Sequence, residues 1–129
     1  MAESFDIVFY LALSMLLAHE LDAVHRHEWR LLFFLRTLSD SLGRNLFIWL
    51  HIPIVALIFF LITHNQYMLR YWTMMCLNLF MVIHAGLHWR LEKHPKYEFK
   101  SLGSKLLIYG AAVVSIIHML VLLIIAQVR

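Results

Sequence analysis

Four long apolar segments constrain this chain more than any other feature of its sequence. They occupy residues 7–18, 46–62, 71–87 and 106–126. An α-helix rises about 1.5 Å per residue, so about 20 residues cross the roughly 30 Å hydrocarbon core of a bilayer. The segments therefore predict an all-α protein with four membrane-spanning helices, over about 5–24, 45–63, 70–90 and 104–126.

The composition supports a membrane environment for the whole chain. Of the 129 residues, 62% are hydrophobic and 15% are charged, whereas about 25% charged is usual for soluble domains. A soluble domain of this length cannot bury so much apolar surface. We therefore expect one integral membrane domain over 1–129, a four-helix bundle with short loops. Segment 28–38 is apolar on one side and predicts an interfacial helix after the first span.

The first apolar segment is the shortest, and it ends in the polar run His19-Glu20-Leu21-Asp22. It spans a membrane only if these polar groups lie within the bilayer or at its edge. A cleaved signal peptide needs a basic leader, but Glu3 and Asp6 precede the apolar segment here. We therefore expect a retained helix.

Basic residues predict the orientation, because positively charged loops stay cytoplasmic. Only Arg70 and the terminal Arg129 fall on the predicted outer side. Both termini should therefore be extracytoplasmic. The net charge of +3 then suits anionic lipid headgroups better than nucleic acid, and four short helices also suggest a homo-oligomer. The basic residues of the two predicted inner loops are Arg26, Arg30, Arg36, Arg44, Arg90, Lys93, Lys96, Lys100 and Lys105.

Histidines within the apolar segments are the main functional candidates, since polar groups that a membrane tolerates usually face a bundle interior. His19, His51 and His84 each lie six or seven residues inside a basic residue, roughly 9 to 10 Å below the inner edge. His84 and His88 are four residues apart and share a helical face. Three imidazoles with an open fourth position are typical of catalytic zinc. The predicted ligands are His19, Glu20, His51, His84 and His88.

Acidic residues next to His19 predict the chemistry of such a site. Glu20 is expected to ligate the metal or to act as general base on a metal-bound water, and Asp22 is a second catalytic candidate. A buried carboxylate without a cationic partner would protonate rather than stay charged. Nitrogen and oxygen ligands without thiolates indicate a divalent cation, zinc or iron.

Simpler interpretations of these polar residues remain open. Asp22 and Arg26 have the spacing of an ordinary ion pair within a helix. His51 precedes Pro53 and can bond the carbonyl that this proline leaves free. Isolated at its own depth, His118 is expected to be a buried histidine bonded to Ser115 or to a carbonyl. The remaining polar residues near the inner ends are expected to be solvated: His25, His27, Glu28 and His94.

Several short motifs carry a resemblance to a known group of proteins. They are His19-Glu20-Leu21-Asp22-Ala23, His27-Glu28-Trp29-Arg30, Leu87-His88 and Pro95-Lys96-Tyr97-Glu98-Phe99. This set resembles the small, uncharacterised four-helix bacterial membrane proteins akin to the HXXEE group, although Trp29 stands where the second acid of that motif belongs. The resemblance implies a four-helix fold, a bound metal and a bacterial inner membrane, but no substrate.

The sequence therefore favours an intramembrane metal-dependent enzyme, a hydrolase or an oxidase, that acts on a lipid or another amphiphile near the inner leaflet. One alternative is a haem-binding electron carrier, since histidines of different helices at one depth can ligate haem. A second alternative is a non-catalytic membrane subunit with a buried polar network.

Overall fold

A computed structural model describes residues 2–128 of the chain, with side chains at 6–125 and 127. Its four helices are α1 (Ala2–His25), α2 (Asp40–Ile62), α3 (Tyr67–Leu91) and α4 (Leu102–Val128). A single 3-10 turn, Glu28–Arg30, lies between α1 and α2. The described residues contain no strand, so the all-α class and the four helices are confirmed. Arg129 lies outside the described residues.

The interfacial helix predicted over 28–38 is wrong, because this segment contains only the 3-10 turn followed by further turns. Trp29 and Leu35 are buried and pack into the cluster that includes Phe47. The indole N–H of Trp29 donates to the Asp40 carboxylate at 3.0 Å, and the Arg30 guanidinium donates to the same group. The segment is therefore a connector packed against the helices.

Within the part of the chain that the structure describes, three helices, rather than the predicted four, are long and apolar enough to cross a membrane. They are Asp6–His25 of α1, all of α2, and Leu102–Ile125 of α4. Helix α3 has 25 residues, so its length is sufficient at about 1.5 Å per residue. Its hydropathy is lower because it carries Asn78, His84 and His88 within its apolar part.

Helix α4 is the centre of the packing, with α1 and α3 against it, whereas α2 lies at the periphery and contacts mainly α3. Gly110 of α4 leaves room for the end of the Met15 side chain of α1, since a Cβ at this position would meet the Met15 methyl group. The inward face of α3 follows a helical period through Met74, Asn78, Met81, Ala85 and His88.

Candidate metal centre

Four side chains from three segments converge near the end of α1. They are His19 of α1, Glu28 of the 3-10 turn, and His84 and His88 of α3, and one ligand atom of each lies within 4.8 Å of the others. His19, Glu28 and His88 are buried, and His84 is half-buried. Such a group can hold a metal ion.

A reversal of the chain brings Glu28 to this group. Helix α1 ends at His25, and His27 then adopts a left-handed conformation with φ 56° and ψ 43°. This conformation is uncommon for a residue other than glycine. Nδ1 of His27 lies 2.9 Å from the Glu98 carboxylate, which holds the reversed chain against the segment after α3. Glu28 therefore points back toward the helices.

The distances between the donor atoms fit a single cation. His19 Nε2 lies 2.9 Å from His84 Nε2 and 3.3 Å from Glu28 Oε2. The other carboxylate oxygen, Oε1, lies 3.6 Å from His88 Nε2 and 4.0 Å from His84 Nε2. Four donors at about 2.0–2.1 Å from a tetrahedral zinc ion are about 3.3 Å apart. The observed distances lie on both sides of this value.

Hydrogen bonds alone do not satisfy this arrangement. His19 Nε2 faces both His84 Nε2 and the Glu28 carboxylate, but it offers one proton or one lone pair. Glu28 Oε2 is buried without a hydrogen-bond partner among the described residues, and so is His19 Nδ1. A cation would accept the lone pairs of the converging Nε2 atoms and neutralise the carboxylate. The three histidines and Glu28 therefore fit a metal ion.

Glu28 is suited to stay ionised in this position. Burial opposes its charged form, but contacts with His19 and His88 outweigh burial and hold the pKa of the Glu28 carboxyl well below its usual range. Hydrogen bonds and nearby positive charge favour an ionised carboxylate. Glu28 therefore supplies a negative charge beside three imidazoles.

Segment 95–99 supports the cluster from outside. His88 Nδ1 lies 3.2 Å from the Tyr97 hydroxyl, and burial raises the pKa of Tyr97, so the hydroxyl stays protonated. Phe99 packs on the rings of His19 and His88, at centroid distances of 5.4 and 4.7 Å. Contacts of this kind orient a ligating histidine and set its tautomer. Tyr97 is thus placed to fix which His88 nitrogen faces Glu28.

Glu20 and His51, both predicted ligands, form a separate pair. Glu20 Oε2 lies 2.9 Å from His51 Nε2, and His51 Nδ1 donates to the Phe47 carbonyl at 2.6 Å. The carbonyl that Pro53 leaves free would be that of Trp49, so the expected bond is made to a different residue. Because Nδ1 must carry a proton to donate, a second proton is held either on His51 Nε2 or on Glu20.

Asp22 also lies outside the four-residue group. Its carboxylate forms the expected ion pair with Arg26 at 3.2 Å and accepts a hydrogen bond from Ser104 at 2.5 Å. His118 is fully buried, as expected, but its partner is Asn78 at 2.8 Å rather than Ser115, which donates to the Met81 sulfur. Of the five predicted ligands, the structure groups His19, His84 and His88.

The pair and the cluster share one cavity of about 290 Å³. Its polar lining consists of Glu20, Glu28, His51, His84 and His88, and the rest is apolar. A molecule in this cavity would contact both the carboxylate of the cluster and the proton of the Glu20–His51 pair. The apolar lining residues are Leu31, Leu32, Phe34, Leu35, Phe47, Leu50, Ile54, Phe80, Leu87 and Leu91.

Sequence reasoning missed Glu28 and Tyr97. The expectation that Glu28 is solvated is wrong, because the reversal at His27 returns it to the interior, where it is 6% exposed. Both residues belong to the short motifs that carry the resemblance, and these motifs meet in the structure through the contacts of His27 and Arg30 with Glu98. The occurrence of both motifs in one sequence was the signal that could have linked Glu28 and Tyr97 to the site.

Comparison with known proteins places the chain in a family. The model of a family of unknown function, DUF6713, matches residues 5–125. Neither a curated protein nor a solved structure matches the chain. The resemblance to the HXXEE group and the bacterial origin stay predictions. Since the match covers almost the whole sequence, the chain belongs to the DUF6713 family, whose function is unknown.

Proposed function

We propose that this protein is an integral membrane metalloenzyme in which His19, Glu28, His84 and His88 hold a divalent cation. The observation that carries the proposal is the convergence of three imidazole nitrogens and one buried carboxylate within 4.8 Å. Donors of this type without thiolates suit zinc or iron. When bound, such a cation acts as a Lewis acid.

The Glu20–His51 pair gives the site a means of moving protons. His51 Nδ1 is committed to the Phe47 carbonyl, so proton exchange takes place between His51 Nε2 and Glu20 Oε2, which are 2.9 Å apart. Both residues line the cavity that also contacts Glu28 and His84. Proton transfer by a positioned side chain typically contributes about 10²–10⁴-fold to a rate. The substrate is an amphiphile, since the cavity is mainly apolar.

The membrane arrangement we propose has four spans, with α3 as the fourth. The polar side chains within its apolar part are buried or paired: Asn78 and His88 are buried, His84 contacts His19, and Arg70 pairs with Asp6 of α1 at 3.2 Å. Intramembrane polar residues are tolerated when they face a bundle interior. Positive loops then place 26–44 and 90–105 in the cytoplasm, with both termini outside and the metal centre near the inner leaflet.

A structural metal site in a non-catalytic subunit is the second candidate. The observation that favours it is the number of protein donors, since four of them complete a tetrahedral zinc site and leave no open position. Haem has less support, because the rings of His19, His84 and His88 lie 4.6 to 5.0 Å apart. Imidazoles in mutual contact leave no space for a macrocycle between them.

Metal analysis of detergent-purified protein tests the centre. We expect about one zinc or iron per chain, because the four donors surround one point. His88→Ala should lose this metal, whereas His118→Ala, which changes another buried histidine, should retain it. Full metal content in His88→Ala would contradict the proposed centre.

Lipid analysis separates an enzyme from a structural site. Producing the wild-type protein in cells should change the lipid profile of their membranes, measured by mass spectrometry. Glu20→Gln should keep the metal but abolish this change, because it removes the proton-exchanging carboxylate. If wild type and Glu20→Gln give the same profile while both hold metal, the structural site is the better interpretation.

A further inference from the structure

We infer that a single hydrocarbon chain binds between α2 and α3, with its polar end at the metal centre. This inference rests on the proposed function for the identity of the polar end, and on the packing of α2 for the position of the chain. The space between the two helices is called the α2–α3 cleft below.

Two neighbouring cavities line much of the length of α2 on its α3 side. The cavity beside the metal centre, of about 290 Å³, shares Ile54 and Phe80 with a second cavity of about 550 Å³. Ligand pockets typically have volumes of about 300–1,000 Å³. The second cavity has no charged lining residue and is bounded by Ile54, Leu57, Ile58, Leu61, Leu69, Trp72, Thr73, Cys76, Leu77 and Phe80.

The packing of α2 explains why the cleft exists. Its buried residues are Gly43, Phe47 and Ile62, which lie toward its two ends. Phe47 packs in the same cluster as Ala85, and Ile62 in the same cluster as Met74. No residue of α2 between these contacts is buried. Helix α2 is therefore packed most closely near its two ends. Along its middle, Ile58 packs on the cluster of Met74 and His51 pairs with Glu20, but two cavities separate much of its remaining apolar face from α3.

The shape and polarity of the cleft fit one amphiphile. From Leu50 to Leu61 the α2 side of the cleft covers twelve residues, or about 16 Å of helix from the first to the last, close to half of a roughly 30 Å hydrocarbon core. Charged groups line one end only, where Glu20, His51 and Glu28 lie. A molecule with one polar end and one tail as long as a leaflet matches this pattern.

A second protein is a poorer occupant. A helix with its side chains is about 10–12 Å across, whereas α2 is packed on the bundle near both of its ends through Phe47 and Ile62. A second copy of the chain could cover the outside of the cleft without entering it. The experiment below therefore measures entry of a hydrocarbon chain and the oligomeric state together.

The probe is stearic acid with a diazirine in the middle of its chain, added to wild-type protein in phosphatidylcholine nanodiscs. After illumination, mass spectrometry should place the label on residues of the cleft, and excess unlabelled stearate should remove it. Ile54→Trp should reduce this competed labelling about tenfold, because a larger side chain at the junction of the two cavities obstructs the tail.

Ile117→Trp is the matched control. Ile54 and Ile117 are both 49% exposed, but Ile117 on α4 lines neither cavity of the cleft. Its labelling should equal that of wild type. The inference would be overturned if unlabelled stearate does not reduce the labelling. It would also be overturned if Ile54→Trp is labelled as strongly as Ile117→Trp. A third contrary result would be a wild-type dimer that Ile54→Trp dissociates, while stearate changes neither the labelling nor the dimer.

Metal content measured on the same samples separates this inference from the proposed function. Competed labelling in a protein that binds no metal would support the cleft and refute the metal centre. Stoichiometric metal without competed labelling would support the metal centre and refute the cleft.

Discussion

The molecule has two buried histidine centres on the inward side of α3, and they differ in composition. The first joins His84 and His88 to His19 and Glu28, while the second joins Asn78 to His118 of α4. Both have polar atoms without a hydrogen-bond partner among the described residues. The first holds a carboxylate and three imidazoles, whereas the second is built from one imidazole and one amide.

This difference shows that burial alone does not make a metal site. His118 and Asn78 are fully buried, but they offer two donors and no negative charge, while zinc in proteins usually has four ligands. The first centre has four donors and an anionic group that offsets the charge of a cation. The number of donors and their charge therefore distinguish the two centres.

The largest expected effect concerns the two glutamates near His19. Glu28→Gln should weaken metal binding by at least about 100-fold, the upper end of the loss seen for outer-shell contacts, because it removes the only anionic ligand of the group. Glu20→Gln should leave the affinity unchanged, since Glu20 contacts His51 instead. Competition with a chelator measures both affinities. The reverse order of effects would favour the site predicted from sequence.

Stability should respond most strongly at the second centre. Asn78→Leu keeps the branched shape of the side chain but leaves buried His118 Nδ1 without its partner. An unsatisfied buried polar group costs about 1–3 kcal/mol, so the variant should unfold at a lower temperature in detergent. Its metal content should stay that of wild type. A loss of metal here would mean that the two centres are coupled.

A smaller effect is expected at Tyr97, which contacts His88 of the first centre. Tyr97→Phe removes the hydroxyl that lies 3.2 Å from His88 Nδ1, and loss of such a contact typically weakens metal affinity about 10- to 100-fold. We expect the lower end, because Phe99 still packs on the ring of His88. The same chelator titration measures it. An unchanged affinity would remove Tyr97 from the centre.

The smallest effect is expected at the ion pair on α1. Arg26→Ala breaks the contact with Asp22, but the Arg26 side chain is 30% exposed, and exposed ion pairs contribute at most about 1 kcal/mol. Asp22 also keeps its hydrogen bond from Ser104. Thermal unfolding should change little and metal content not at all. A large loss of metal would assign Asp22 a role at the centre.

The helices could be predicted from the sequence because hydropathy and length are local properties of a segment. The apolar runs gave four helices, and the i,i+4 spacing of His84 and His88 gave one face of the centre. His19 and His84 lie at the same number of residues from a basic residue, which predicted that they lie at the same depth. In the structure His19 contacts His84 at 2.9 Å.

The fourth member of the centre could not be predicted in this way. Left-handed residues are usually signalled by glycine or asparagine, but here the residue is His27. Its conformation is supported by Glu98, 71 positions later in the chain. A contact so distant in sequence leaves no local pattern, so the continuous helical run made Glu20 look closer to His19 than Glu28.

In the proposed membrane arrangement, the reversal at His27 also links the metal centre to the association of the helices. Membrane helices insert individually and then associate. In the proposed membrane arrangement, α1 alone therefore supplies only His19, and α3 alone only His84 and His88. The contact of His27 with Glu98 of segment 95–99 holds the reversed chain that carries Glu28, so in our proposal the carboxylate joins the histidines when that segment docks. In our proposal, a bound cation therefore marks completed association rather than insertion. By mass action, it would stabilise only the assembled state.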